Sequence, residues 1–345
     1  MDNFLWGVVA GVFGIAALVF FAVTLFKRGA LTFKIDGFYS HVVDGDVGPF
    51  IRDVQADVPD APTCALDDRM SCSIRDAVQC HNAVDRPDCD VLLLSGGGQW
   101  GAFGAGLFDT LSRNSGNELA LPGIGVITGI STGSLQALML MVALDPKQTP
   151  DMRRYALDRL VWGYSPQRES DVVTHTGLIG VPLFGSAAGT SRLRRRVIEA
   201  LMPEGDERLI AAIGTSSIEG FVGFVEAERG VFRYADIKEL VQSAPSGKAA
   251  AEALAAATMA SSAMPVFHQQ LRVAGSDERA LTLYDGGVRR SVFFDRAMAA
   301  VDREVRKQMQ GHPVAKVAGG ATQAAIAQDY EETAPTVYVV RNGPT

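Results

Sequence analysis

Between Ile124 and Ala143 the chain passes from a short apolar stretch with β-branched residues (Ile124, Val126, Ile127) through Gly129-Ile130-Ser131-Thr132-Gly133 into a long helix-forming segment. A serine at such a strand-to-helix corner is held in a strained backbone conformation, and strand and helix approach closely only where the flanking residues carry no side chain. Ser131 is therefore expected to project its hydroxyl from the turn, beside the amides that open the helix. Gly129 and Gly133 leave the room. The GxSxG spacing alone is weak evidence, with about 0.2 chance matches in a chain this rich in glycine. Its setting between a strand and a helix gives it weight.

One step earlier, the apolar run Val91 to Leu94 has the composition of a buried parallel strand. It leads into Ser95-Gly96-Gly97-Gly98-Gln99-Trp100-Gly101 and then a helix through Leu107, Phe108 and Leu111. A glycine-dense turn at this place presents bare amides. The spacing of Gly96, Gly98 and Gly101 also fits a dinucleotide loop, but that needs an acidic residue closing the βαβ unit, and Glu118 precedes a proline-bearing loop instead. An oxyanion hole fits better, because a serine elbow follows one βαβ step later. Further on, a strand over Leu281 to Tyr284 delivers Asp285-Gly286-Gly287. This places a carboxylate at the edge where active sites of parallel sheets gather.

The remaining elements are read from pattern alone. Helices are expected over Ser71 to Val84, Asp151 to Val161, Ser191 to Met202 and Gly247 to Met259, and strands over Leu209 to Gly214, Gly220 to Glu226, Val231 to Tyr234 and Thr336 to Val340. Arg192, Arg194, Arg195 and Arg196 on the third of these helices suit a solvated face, with lipid headgroups as the competing use.

The N-terminus is different material. Phe4 to Phe26 carries no charge and as a helix reaches about 35 Å, enough to cross a hydrocarbon layer of about 30 Å. A membrane span is expected over a cleaved signal peptide, since Met1-Asp2-Asn3 has no basic residue and no small-residue cleavage site comes after the run. Lys27 and Arg28 slightly favour a cytoplasmic location for the rest of the chain. Cys64, Cys72, Cys80 and Cys89 pull the other way: an even cluster without CxxC spacing suggests two disulfides and an oxidising compartment rather than zinc. The expected organisation is an anchor over 1–30, a juxtamembrane linker and cap over 31–89, and a catalytic domain over 90–345. A net charge of −7 argues against nucleic acid as the main partner.

In this order, GGGxxG at Gly96 to Gly101, GxSxG at Gly129 to Gly133 and DGG at Asp285 to Gly287 resemble the patatin-like phospholipase family. Ala260-Ser261-Ser262-Ala263-Met264-Pro265 is similar to that family's small-residue and proline segment. The resemblance spans about 200 residues. It implies a three-layer α/β fold with a mainly parallel central sheet, and a Ser-Asp dyad acting on acyl esters of lipids, with no cofactor and no metal. Ser131 would be the nucleophile and Asp285 the base, with Gly96, Gly97, Gly98 and Gly101 forming the oxyanion loop and Gly129, Gly133, Gly286 and Gly287 shaping the other two motifs. The same dyad also serves an acyltransferase. An inactive lipid- or partner-binding relative is the third possibility, because Trp100 stands where the family often has Arg or Lys. None of the five histidines, His41, His81, His175, His268 and His312, stands in a triad-like context after the elbow.

Overall fold

The computed structural model of the chain describes residues 13–21, 31–34, 41–42, 69–81, 88–114, 123–175, 177, 186–269, 271–274, 280–311 and 334–343. Helix α1 covers 13–21, and its apolar side chains, Phe13, Ile15, Leu18, Phe20 and Phe21 among them, are exposed. The rest of the Phe4 to Phe26 run lies outside the described residues, as does Cys64. Among the described residues no helix is long and apolar enough to cross a membrane.

After α1 come β1 (Leu31–Lys34), β2 (His41–Val42), α2 (Arg69–His81), β3 (Asp88–Leu94), α3 (Gly101–Asn114), β4 (Gly123–Ile130), α4 (Thr132–Ala143) and α5 (Pro150–Gly163). The middle of the chain forms β5 (Thr174–His175), β6 (Ser186–Gly189), α6 (Ser191–Leu201), α7 (Arg208–Thr215), β7 (Glu219–Glu226), β8 (Val231–Asp236), α8 (Ile237–Gln242) and α9 (Gly247–Ser261). The chain closes with β9 (Val266–His268), β10 (Leu271–Ala274), β11 (Ala280–Asp285), α10 (Phe294–Gly311) and β12 (Val337–Val340).

The central sheet runs β1-β10-β11-β7-β4-β3-β12, with β8 on β7 and β2 on β8. Its heart, β12-β3-β4-β7, is parallel, whereas β11 and β8 lie antiparallel to β7. Strand alternation makes the three layers. Leu92 and Leu94 of β3 pack with the apolar sides of α4, α5, α6, α7 and α9, whereas Val91 and Leu93 pack with Met70, Ile74 and Val78 of α2 and Ala297, Val301 and Val305 of α10. Helix α4 is buried along its whole length, as expected for a segment apolar on every side.

The region expected to be linker and cap contributes β1, β2 and α2 to these layers. Cys72 on α2 and Cys89 on β3 are both disulfide-bonded. One strand expectation fails. Leu209 to Gly214 lies within helix α7, whose Leu209, Ile210, Ala212 and Ile213 are buried. Its buried positions sit on one helical face at a spacing of three to four, and the short apolar run hides that period.

The strand directions at β7 place the site. Strand β8 pairs with β7 from Phe221 to Glu226, so β7 has only its other side to offer to both β4 and β11. Strand β4 ascends that side as far as Ile130 opposite Gly223, while β11 comes from the opposite direction and ends with Asp285 opposite Phe224. The two strands therefore meet end to end. The residue after Ile130 is Ser131.

Candidate active site

The Ser131 Oγ donates a hydrogen bond of 2.8 Å to Asp285 Oδ2, and both residues are buried. Ser131 holds φ 53° and ψ −123°, a conformation that costs an L-residue roughly 1–3 kcal/mol and persists only where the surroundings impose it. Three contacts impose it here. The Ser131 amide donates to Ser261 Oγ at 2.7 Å, and that hydroxyl in turn donates to the Gly223 carbonyl at 2.6 Å, bolting the elbow to β7. Ser134 Oγ donates to the Ser131 carbonyl at 2.5 Å. Gly129 and Gly133 stand face to face, and a Cβ on Gly129 would lie 2.3 Å from the Gly133 carbonyl oxygen.

Asp285 is fixed just as closely. Its amide donates to the Ala263 carbonyl at 3.0 Å, and its Oδ1 accepts from the Gly287 amide at 2.7 Å, leaving Oδ2 for the serine. Gly286 has no room for a side chain, since a Cβ there would lie 2.7 Å from the Gly223 carbonyl oxygen. The DGG tripeptide thus aims the carboxylate. Burial pushes its pKa above the ordinary carboxylate value, against hydrogen bonds from Gly287 and Ser131 and the nearby charge of His268, which pull it down. His268 turns its Nδ1 to the Ser262 carbonyl at 2.8 Å, so that nitrogen carries the proton. Among the described residues no hydrogen bond joins His268 to Ser131 or Asp285.

The four glycines of the loop differ in what their amides meet. The amides of Gly97 and Gly98 find no acceptor among the described residues. The Gly96 amide donates to the Ser291 carbonyl at 3.1 Å, and the Gly101 amide to the Gly98 and Gln99 carbonyls, so neither is free for an oxyanion. Gly96 and Gly101 instead give clearance. A Cβ on Gly96 would press on Ser131 Cβ at 3.1 Å, and one on Gly101 would reach Thr132 Oγ1 at 2.0 Å. Of the first amides of α4, that of Ser134 donates to the Ser131 carbonyl at 2.9 Å, and those of Thr132 and Gly133 lie at the open helix start beside Ser131.

Four residues at the site escape a reading of the sequence. Ser261 lies in the small-residue and proline segment, where a hydroxyl at the end of an alanine-rich helix is the available signal. Tyr164, which donates to the Thr132 carbonyl, and the buried Asn342 have no local signal, and its partner Gln136 shows only as a lone glutamine among apolar residues. Trp100 is half exposed on the turn within the loop. Among the described residues, no group of three or more His, Cys, Asp or Glu side chains converges to hold a metal.

A buried carboxylate that accepts a strained serine hydroxyl beside two unpaired amides has the parts for acyl transfer: base, nucleophile and oxyanion donors. Among curated proteins no relative matches the chain. The profile of the patatin-like phospholipase family matches residues 92–298, three-fifths of the sequence and the segment that holds all three motifs. The chain belongs to the patatin-like phospholipase family.

Proposed function

We propose that the protein is a membrane-anchored serine acyl hydrolase of lipid esters, with Ser131 as nucleophile and Asp285 as its base. The 2.8 Å contact between Ser131 Oγ and Asp285 Oδ2 carries this reading. As Oγ bonds to the ester carbonyl carbon, its proton passes to Asp285, and the carbonyl electron pair becomes an oxyanion received by the Gly97 and Gly98 amides. Collapse expels the alcohol, which leaves with the proton from Asp285. Water then attacks the acyl-enzyme, giving one proton to Asp285. The second collapse returns that proton to Ser131 and releases the fatty acid. The direct test is release of fatty acid from phospholipid vesicles together with labelling of Ser131 by a fluorophosphonate. A protein that does neither is no hydrolase.

Because burial pushes the pKa of the base up from the ordinary aspartate value, the acid limb of kcat/KM is expected at higher pH than a free aspartate would give. The His268 charge holds that value down, so His268→Ala is expected to move the limb to higher pH while leaving the plateau rate within about threefold. A pH–rate profile checks both. Loss of the plateau would instead make His268 part of the catalytic machinery.

Membrane contact is supported by where apolar side chains are left in solvent. Among the described residues outside α1, the exposed large apolar ones are Trp100, Phe103, Met264, Val266, Phe267, Val288 and Val339. All but the last fall within about five residues of the oxyanion loop, Ala263 or Asp285. Val266 even holds a positive φ of 71°, costly for a β-branched residue, with its side chain facing outward. Such a rim suits the surface of a bilayer that presents the ester. Each Phe entering it contributes about 1.5 kcal/mol or more. Phe103→Ser with Phe267→Ser is therefore expected to lower vesicle hydrolysis by at least about tenfold and hydrolysis of a soluble short-chain ester by less than about twofold. Equal loss on both substrates would end the docking role of the rim.

The disulfide-bonded Cys72 and Cys89 favour an oxidising compartment for the domain, against the weak signal of Lys27 and Arg28. Thiol counting of the unreduced protein checks this: free thiols at both positions would return the domain to the cytoplasmic side.

A further inference from the structure

Asn342, just after β12, is wholly buried beneath the oxyanion loop. Its Nδ2 donates to the Ser95 carbonyl and to Gln136 Oε1, both at 2.9 Å, while its Oδ1 accepts from Gln136 Nε2 at 3.1 Å. The amide of Asn342 also donates to Ser95 Oγ at 2.8 Å, and Ser95 Oγ donates to the Gly96 carbonyl at 2.8 Å. The remaining donor of Gln136 Nε2 reaches the Gly101 carbonyl at 2.8 Å. Every side-chain donor of this amide pair is spent. On the loop, the bonds fall on Ser95 at its start and Gly101 at its end.

Between those two fixed points lie Gly97 and Gly98, the residues with unpaired amides. The Asn342 backbone carbonyl presses on the same loop, so closely that a Cβ on Gly97 would lie 1.2 Å from its oxygen. Gln136 sits on α4, the helix that begins directly after Ser131. The amide pair thus connects the helix that carries the nucleophile to the loop that carries the donors. Burying two carboxamides is costly unless every polar atom is matched, and a fully matched network rigidifies the groups it touches. Here it fixes the distance between the Ser131 hydroxyl and the amides that would receive the oxyanion.

We infer that Asn342 and Gln136 are positioning residues, which set the oxyanion donors relative to the nucleophile by clamping the loop at Ser95 and Gly101. The inference rests on the acyl hydrolase reading for its kinetic consequence, but the clamp itself is open to a test that needs no activity. The contribution comes from the far end of the sequence, which explains how residues beyond the matched family segment bear on the site.

The experiment uses the full chain with Asn342→Ala, Gln136→Ala and the double variant, assayed on a soluble short-chain ester and with a trifluoromethyl ketone, whose hydrated or serine-bound form carries a tetrahedral oxygen. Displacing a donor by about 1 Å costs on the order of a hundredfold in rate. The expected result is a kcat about a hundredfold lower with KM within about threefold. The ketone should weaken by the same factor as kcat/KM, and the double variant should be no worse than the poorer single one, because the pair acts as a unit. Hydrogen exchange of the 95–101 segment should accelerate in each variant while the β4 and β7 amides keep their protection. Folded variants with kcat and ketone affinity within threefold of wild type overturn the inference, as does unchanged exchange in the loop. If Asn342→Ala does not fold, Asn342→Asp keeps the size and removes both Nδ2 donors, and the same outcomes decide. A wild-type protein that hydrolyses no ester and takes no fluorophosphonate overturns the hydrolase reading instead, and the exchange measurement then judges the clamp alone.

Discussion

Ser131→Ala is expected to lower turnover of an acyl ester by a factor on the order of a million, the scale seen when a catalytic serine is removed from a working dyad or triad. Asp285→Asn should cost on the order of ten-thousandfold or more, since an amide holds the hydroxyl in place but takes no proton from it. Neither change should unfold the protein. The Ser131 side chain is small, and its backbone is held by the hydrogen bond that its N–H donates to Ser261 Oγ, which the variant keeps. For Asp285 the sign of the stability effect comes from its titration. Burial raises its pKa in the folded state, so between the unfolded and folded values the native protein binds more protons, and stability falls as pH rises through that window. At neutral pH the folded state holds the charge at a cost that Asp285→Asn removes. The variant should melt no lower than wild type at pH 7, with the difference fading once pH drops below about 4. Ser131→Gly extends the test, because glycine accepts a φ of 53° freely: it should be as inactive as Ser131→Ala and melt higher. Steady-state kinetics and thermal denaturation read all three. Full turnover by Ser131→Ala would end the assignment of the nucleophile.

The chain discloses this site locally. The elbow, the glycine loop and the DGG turn are each built within a few consecutive residues, because tight turns and bare amides demand particular residue types at fixed offsets. Strand β11 shows the limit of such inference. Its aspartate is expected at an edge shared by parallel strands, yet it arrives antiparallel to β7 and meets β4 head-on, a direction set by pairings that no local pattern encodes. The loop is legible as a loop, but which of its amides stay free depends on Ser291, a residue distant in sequence that takes up the Gly96 amide. Gln136 and Asn342 are 206 positions apart. A buried glutamine on an otherwise apolar helix is the one visible trace of them. Helix α7 escapes for a different reason, since six apolar or small residues in a row suit a buried strand as well as a short buried helix.

Gly97→Ala is expected to cost at least a hundredfold to a thousandfold in kcat, the scale of losing one oxyanion donor, and neighbouring Gly98→Ala much less. The contrast comes from the surroundings of each added methyl group. At Gly97 it would lie 1.2 Å from the Asn342 carbonyl oxygen and 2.3 Å from the carbon behind it, distances at which backbone has to move. Asn342 is held by four hydrogen bonds and is wholly buried, so the more exposed glycine loop is the partner that yields. Its displacement carries both free amides away from Ser131 together. At Gly98 a Cβ meets nothing within 4 Å, and the penalty is the positive φ of 55°, about 1–2 kcal/mol of backbone strain that shows in melting temperature more than in rate. Ester hydrolysis and thermal melts on the two variants separate a steric displacement from a conformational cost. Equal activity in both would mean that the loop does not carry the donors. If Gly97→Ala alone fails while its melting temperature stays within a few degrees of that of Gly98→Ala, the loss lies in donor geometry, because strain of similar size has then left catalysis in the neighbour largely intact.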